Sequence, residues 1–277
     1  MTAPVSVLVP TLNEELNLPE CLDSLNWADE VFVVDSFSSD RTIEIAQQRG
    51  AKVVQHEFDN YSRQKNWALE TLPFRNEWLL IVDADERVTP ELRCEIERVA
   101  ARPDRDGYYV NRRFIFLGRW IRHAGWYPSW NLRLFRHRLG RYEDREVHEH
   151  VVLNGSVGYL RHDLLHLDRR GLEAFVARHN RYSTLEAAAR LEAERARAGR
   201  GGRLPLDLLG SPVERKRFLR ERVWPLVPAK PLALFIYMYV LRRGFLDGRP
   251  GLVLCVFHAF QEFMVSVKLA ELRRSAH

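Results

Sequence analysis

The sequence predicts an α/β fold: a mostly parallel sheet with flanking helices, followed by a helical C-terminal extension. Short β-branched runs alternate with helix-like segments through the first hundred residues, the order that builds strand–helix–strand units. The runs are continuously apolar, as strands covered on both faces must be. Beyond about residue 220 the chain changes character and ends in two apolar stretches separated by an arginine-containing turn.

Val5 to Val9 is the first strand, Glu14 to Leu25 the first helix-like segment and Glu30 to Val34 the second strand. After a Ser-rich turn come a helix over Thr42 to Arg49, a strand over Lys52 to Gln55, a helix near Arg63 to Glu70 and a strand over Trp78 to Val82. Ligands of such sheets sit outside the carboxyl ends of the strands, so chemistry is expected just after Val9, Val34 and Val82. Asn111 to Tyr142 then holds eight arginines and no acid, with Trp120, Trp126, Tyr127 and Trp130 interleaved. Leu172 to Ala198 has helical periodicity, and Gly199 to Arg203 reads as a break. Of the apolar stretches, Leu232 to Leu241 has ten residues, half of the roughly 20 that a spanning helix needs. Leu252 to Val267 is amphipathic, interrupted by His258, Gln261 and Glu262. It suits either the headgroup region of an anionic membrane or packing on the domain. The expected organisation is a catalytic domain over residues 1–222 and a membrane-associating helical region over 223–277.

With 277 residues, 46% hydrophobic and 29% charged, the chain is an ordinary globular one and neither disordered, collagen-like nor multi-span. Its 42 basic residues against 37 acids give +5, an excess that suits nucleic acid, anionic lipid or a phosphorylated ligand. Residues 171–222 alone carry 12 basic residues and 7 acids. Three widely spaced cysteines support neither a disulfide framework nor a Cys-x-x-Cys zinc site. Met1 to Val9 lacks a basic n-region and reads as a core strand instead of a signal peptide, so a cytoplasmic location is expected.

The sharpest feature is the strand Trp78 to Val82 running into Asp83-Ala84-Asp85-Glu86. Neighbouring carboxylates repel unless a cation neutralises them, and Asp-x-Asp can share one hard divalent ion that keeps sites open for phosphate oxygens. A solvated turn before the helix at Pro90 is the plainer reading of the same acids. The second strand ends in Asp35-Ser36-Phe37-Ser38-Ser39-Asp40-Arg41-Thr42, which puts Asp40 at a helix N-cap and Asp35 at a strand tip facing a nucleobase or ribose. No G-x-G-x-x-G or P-loop follows these strands, which argues against both dinucleotide and Walker-type sites.

Together these motifs resemble the inverting nucleotide-sugar glycosyltransferases of family 2, which have the GT-A (Rossmann-like) fold. Val9-Pro10-Thr11-Leu12-Asn13-Glu14-Glu15 is similar to that family's first strand and turn, and Asp35 to Thr42 to its Asp-x-x-Ser-x-Asp-x-Thr turn. Ser62-Arg63-Gln64-Lys65-Asn66-Trp67-Ala68 is similar to its Lys-Asn helix. Gly125-Trp126-Tyr127-Pro128, Arg133-Leu134-Phe135-Arg136, Val147-His148-Glu149 and Gly244-Phe245-Leu246-Asp247-Gly248 resemble the lipopolysaccharide core β-1,4-glucosyltransferases.

The resemblance implies that Pro10, Asn13, Glu14, Asp35, Arg63, Lys65, Asn66 and Asp83 bind the nucleotide sugar. It also implies that Asp85 and Asp83 hold Mg²⁺ or Mn²⁺, with His166 completing the metal site. Many members carry two consecutive acids where this chain has Asp35-Ser36, which leaves open which of them Asp35 replaces. Inverting transfer needs a carboxylate to take the acceptor's proton. Glu149 is the favoured base, with Glu143, Asp144 and Glu146 as alternatives. The acid-free arginine span, with Trp130, Arg133 and Arg136 singled out, suits an anionic acceptor, because guanidinium forks match phosphate oxygens.

The implied activity is transfer of a sugar, glucose from UDP-glucose above all, with inversion onto an anionic lipid-linked acceptor such as the lipopolysaccharide inner core. The implied location is the inner face of the cytoplasmic membrane, held peripherally. Alternatives are another lipid-linked or capsular glycan, or a non-catalytic nucleotide-sugar or nucleic-acid binder. Nucleic acid finds no binding motif in this sequence and leaves Asp83 and Asp85 unexplained.

Overall fold

Strand β1 (Ala3–Thr11) lies at the centre of a sheet covered on both sides, and its alternate residues divide between two cores. Val5, Val7 and Val9 join Val33, Leu80 and Val82 in one, while Leu8 joins Phe32, Val34, Leu79 and Ile81 in the other. That division explains the uninterrupted apolar runs. The structure is a computed structural model that describes residues 2–143, 151–199, 227 and 229–275.

The elements continue as α1 (Leu18–Asp23), β2 (Ala28–Asp35), α2 (Thr42–Gln48), β3 (Lys52–Gln55), α3 (Tyr61–Thr71), β4 (Trp78–Ile81), β5 (Glu86–Val88) and α4 (Pro90–Ala101). Then come β6 (Gly107–Phe116), β7 (Arg119–Trp120), β8 (Trp130–Arg136), β9 (Gly140–Tyr142), β10 (Val151–Leu153) and β11 (Val157–His166). The sheet order is β3-β2-β1-β4-β8-β6-β11-β5, with β7 paired to β6 and a separate β9–β10 hairpin. Strands β1, β2, β3, β4, β6 and β11 run in one direction and β5, β7 and β8 against them. This is the expected α/β arrangement, mostly parallel with flanking helices and a helical C-terminal segment.

Local chemistry sets the helix starts. Asn60 accepts a hydrogen bond from Arg63 N at 2.8 Å before α3, and Thr89 Oγ1 accepts from Leu92 N at 3.3 Å before α4, which has Pro90 in its first turn. The segment expected to be helical from Glu14 begins only at Leu18, because Asn13 takes a left-handed φ of 54° and the chain turns through residues 14–17 first. Asp40, expected at the N-cap of α2, stands one residue before it and still accepts from Thr42 N at 3.0 Å and Glu15 N at 3.1 Å.

Two compact units emerge: Met1–Trp120 with Trp126–Arg170, which contains the sheet, and Ile121–Gly125 with Gly171–His277. The boundary expected near residue 222 lies outside the described residues. In the second unit, α5 (Gly171–Gly199), α6 (Lys230–Ile236, continued by a π turn at Tyr237–Leu241), a 3-10 turn at Gly244–Asp247 and α7 (Gly248–Arg274) are described. Buried Ala187 of α5 packs on Val265 and Leu269 of α7. Asp247 is 2% exposed and accepts from Arg122 N at 3.2 Å, His123 N at 2.8 Å and the His123 ring at 2.8 Å.

The first apolar stretch lies in α6 and its π turn, and the second lies within α7, a 27-residue helix that extends past Leu252 and Val267 at both ends. Pro250 does not interrupt it, since a first-turn proline lacks only an N–H that would have no helical partner. The segment Gly244–Arg274 is long and apolar enough to cross a membrane by length and composition.

Candidate active site

Parallel pairing of β1 with β2 and β4 brings their carboxyl ends together, in register through Thr11 with Asp35 and Leu8 with Ile81. Residues 10–15, 35–40 and 83–86 therefore emerge at one edge of the sheet, where the sequence located them. Asp35 is fully buried. It accepts from Thr11 Oγ1 at 3.0 Å and from Ser38 N at 2.8 Å, and Gln64 Nε2 donates to neighbouring Ser36 Oγ at 2.6 Å. Asn13 Oδ1 accepts from Ser39 N at 2.8 Å, while Asn13 N donates to Ser38 Oγ at 2.8 Å. Asp35 and Asn13 thus shape the two strand-end loops and hold them together, leaving Phe37 outermost at 61% exposure. Pro10 lies next to the end of β1, paired with Val34.

The Asp83–Glu86 turn is organised by a cation that sequence reading assigned elsewhere. Arg133 Nη2, buried at 6% residue exposure, donates to Asp83 Oδ2 at 2.6 Å and to Glu86 Oε1 at 2.8 Å. Glu86 Oε2 also accepts from Asp83 N at 3.0 Å. Lys65 Nζ lies 4.0 Å from Asp83 and 5.0 Å from the centre of the Tyr142 ring. Burial opposes ionisation of Asp83, but Arg133 and Lys65 outweigh it and hold its carboxyl far below the usual range. Burial pushes Glu86 up, against the pull of Arg133, and the Asp83 charge adds to the push.

Asp85 faces the other way. Its Oδ1 is 3.4 Å from His166 Nδ1, and its Oδ2 is 3.8 Å from Arg170 Nη2. Residue pairing of β11 with β5 sets His166 opposite Glu86, one position from Asp85. The His166 Nδ1 is buried without a hydrogen bond, and the ring lies 5.2 Å from Phe114, which stacks at 4.6 Å on Trp126. An imidazole nitrogen lacking a hydrogen bond beside a carboxylate is a donor pair that fits a divalent ion with oxygen and nitrogen ligands. Asp83, expected to share that ion, has Arg133 and Lys65 as its neighbouring cations. No group of three such side chains occurs among the described residues.

Two residues that the sequence did not single out complete this edge. Arg170 binds Asp168 through two parallel contacts of 2.9 Å and donates to Glu14 Oε1 at 2.8 Å. Glu14 also accepts from Asn17 Nδ2 at 2.8 Å. Burial raises Glu14 to about 7, against the lowering effect of Arg170. The opposite holds at Asp168: burial is overcome by the Arg170 hydrogen bonds, and the carboxyl is held far below its usual range. The signal for both was present four and two residues after His166, in Asp168-Arg169-Arg170, but nothing in the spacing pointed from there to Glu14.

Four more expected site residues stand on α3 and β8. Asn66 makes a two-point bond to the backbone of Tyr142, at 2.9 and 2.8 Å. Arg63 pairs with Asp59 at 2.6 Å and, with Asn66, Trp67, Glu70, Arg141 and Tyr142, lines a pocket of about 250 Å³. Trp130 is 40% exposed, edge-on to Tyr159 at 5.1 Å. Arg136 is at the opposite end of the sheet, in register with Trp78 and paired with Glu77 and Asp106. Glu149 lies outside the described residues.

A profile described as Glycosyl transferase family 2 matches residues 6–158, a span that includes Glu14, Asp35, Asp83, Asp85 and Glu86. This chain belongs to glycosyl transferase family 2. It is 34% identical over 197 residues to the lipopolysaccharide core biosynthesis glycosyltransferase LpsC of Rhizobium meliloti (strain 1021), covering 68% of this chain and 72% of that one. An uncharacterized glycosyltransferase of Rickettsia bellii (strain RML369-C) is 29% identical, covering 98% of this chain and 88% of its own. A crystal structure of S. aureus TarS 1–349 is 14% identical, with a TM-score of 0.47, over 99% of this chain and 92% of that one. As a member of that family, the chain is a glycosyltransferase.

Proposed function

We propose that this family 2 enzyme transfers glucose from UDP-glucose, with inversion, to an anionic lipid-linked acceptor of the lipopolysaccharide inner-core type. The domain over residues 1–222 is catalytic, and residues 223–277 hold it peripherally at the inner face of the cytoplasmic membrane. The observation that carries the chemistry is the pairing at the strand tips of an ionised Asp83, beside Lys65 and Arg133, with the Asp85–His166 pair. The first cluster suits a ribose hydroxyl and the second a divalent cation, Mg²⁺ or Mn²⁺. That ion supplies charge stabilisation for a departing diphosphate.

The remaining steps belong to the chain's own residues. Asp83, fixed by Arg133 and Lys65, accepts from the ribose. The loops tied by Asp35 and Asn13 present backbone groups and Phe37 to the base. Glu149 takes the proton of the acceptor hydroxyl as its oxygen forms a bond to the anomeric carbon, and the bond from that carbon to the diphosphate oxygen breaks with its electron pair leaving on UDP. Attack opposite the leaving group inverts the anomeric centre.

Isothermal titration with a panel of nucleotide sugars, each with Mg²⁺ and with Mn²⁺, tests this reading. Selective, metal-dependent binding of UDP-glucose is expected, and equal weak binding of all donors, or none, would contradict it. Glu149→Gln is expected to lower kcat by about 10²- to 10⁴-fold with donor affinity unchanged. Full turnover in that variant would move the base to Glu143, Asp144 or Glu146.

A further inference from the structure

The apolar residues of α7 divide between two faces. Leu254, Cys255, Val265 and Leu269 are buried, whereas Leu252, Val256, Phe260, Phe263 and Val267 recur at helical spacing as one stripe, each at least 38% exposed. The neighbouring Ile236, Val240 and Leu241, with Phe245 and Leu246 of the turn, are exposed too. Exposed charges beside them are Arg242, Arg243 and Arg249, while the two acids of residues 230–270, Asp247 and Glu262, are buried. Beyond Val267 the stripe runs to exposed Glu271 at the helix end, but the broad apolar face before it has exposed arginines beside it, which matches a leaflet rich in anionic lipid.

Length and composition alone would let this helix cross a bilayer, but its buried face argues otherwise. Arg190 of α5 donates to both Glu262 oxygens at 2.8 Å. Lys268 Nζ lies 2.7–2.8 Å from Asn180 O, Asn180 Oδ1, Ser183 Oγ and Thr184 Oγ1, all on α5. Arg273 pairs with Glu194 at 2.6 Å. These ties fasten α5 along the back of α7, and α5 exposes Glu173, Arg181, Glu192 and Arg195. Crossing would carry those charges into hydrocarbon or tear the ties apart, and charges at membrane depth are costly.

We infer that α7 is a one-leaflet anchor, lying in the plane of an anionic membrane surface with its 252–267 stripe among the acyl chains and α5 on the water side. This rests on the membrane-facing part of the proposed function and is independent of its chemistry.

Flotation of the full chain with vesicles tests it. Binding is expected on phosphatidylglycerol–phosphatidylcholine mixtures and is weaker on phosphatidylcholine alone by on the order of tenfold to a hundredfold. Phe260→Asp combined with Phe263→Asp should lower vesicle binding about a hundredfold, with the circular dichroism spectrum and UDP-glucose affinity in solution unchanged. In a Cys94→Ser background, where the other native cysteines are buried, Arg249→Cys and Ser275→Cys should both react with an impermeant maleimide added outside the vesicles.

Protection of one of these positions would overturn the in-plane anchor in favour of a spanning helix. Vesicle binding unmoved by the double substitution would overturn it, as would a solution dimer that this substitution dissociates while vesicles stay unbound. Vesicle binding by protein that binds no UDP-glucose would support the anchor while counting against the donor assignment.

Discussion

Arg133 illustrates how far a single residue can be read from sequence. Its place in an acid-free arginine span suggested an acceptor contact, yet it is buried between Asp83 and Glu86, roughly fifty residues earlier in the chain. Nothing local discloses this, because the partners meet only when β8 pairs with β4. Asp83 and Asp85, by contrast, were legible: an apolar strand ending in acids needs a compensating cation wherever it folds. The sequence did not foresee that Asp83 is answered by Arg133 and Lys65, and Asp85 by His166 and Arg170. Arg133→Met is therefore expected to destabilise the fold by about 3 kcal/mol, since it removes the cation that bridges buried Glu86 and half-buried Asp83 and leaves only the more distant Lys65 and Arg112 beside them. Urea unfolding of the variant against wild type would check this, and an unchanged midpoint would contradict it.

At the scale of elements, β1, β2, β3 and β4 follow from apolar runs of the right length, and their parallel pairing follows from the intervening helices. The directions of β5 and β8 do not, because an apolar run looks the same in either sense. The helix expected from Glu14 fails for a local reason, the left-handed Asn13 that ties one strand-end loop to the other.

The far end of β2 carries its own prediction. Glu30, buried at 5% exposure, accepts from Ser6 Oγ at 2.6 Å, Lys52 Nζ at 2.6 Å and Arg75 N at 2.6 Å. Burial opposes its charge, but these bonds win and lower it from 4.5 to about 2. A lowered carboxyl stabilises the fold above its unfolded value and loses that contribution as pH falls. About 2 kcal/mol should therefore be present above pH 4.5 and lost between there and pH 2. Glu30→Gln should remove that part of the acid dependence, as measured by chemical denaturation across pH 2–6.

For the whole molecule, the +5 charge gains locations: buried Arg133 and half-buried Arg170 serve the strand-end acids, and Arg242, Arg243 and Arg249 lie beside the apolar face of the second unit. The turn Gly244–Asp247 matters beyond its own helices, since Asp247 holds the Ile121–Gly125 segment. A chain ending at Arg222 loses that grip and should be cut by trypsin at Arg122 at least about tenfold faster than the full chain. Equal rates would show that the segment is held by something else.

The central claim, sugar transfer from a UDP donor at the Asp83–Asp85 edge, is tested most directly by turnover. Full-length protein is incubated with UDP-glucose, Mn²⁺ and vesicles carrying a truncated lipopolysaccharide inner core, and UDP release and glucosylated lipid are measured together, alongside Asp85→Asn. The account predicts equimolar UDP and glycolipid that require both metal and acceptor and vanish in the variant. Glucosylation that persists in Asp85→Asn, or no transfer from any nucleotide sugar to any glycolipid, would contradict it.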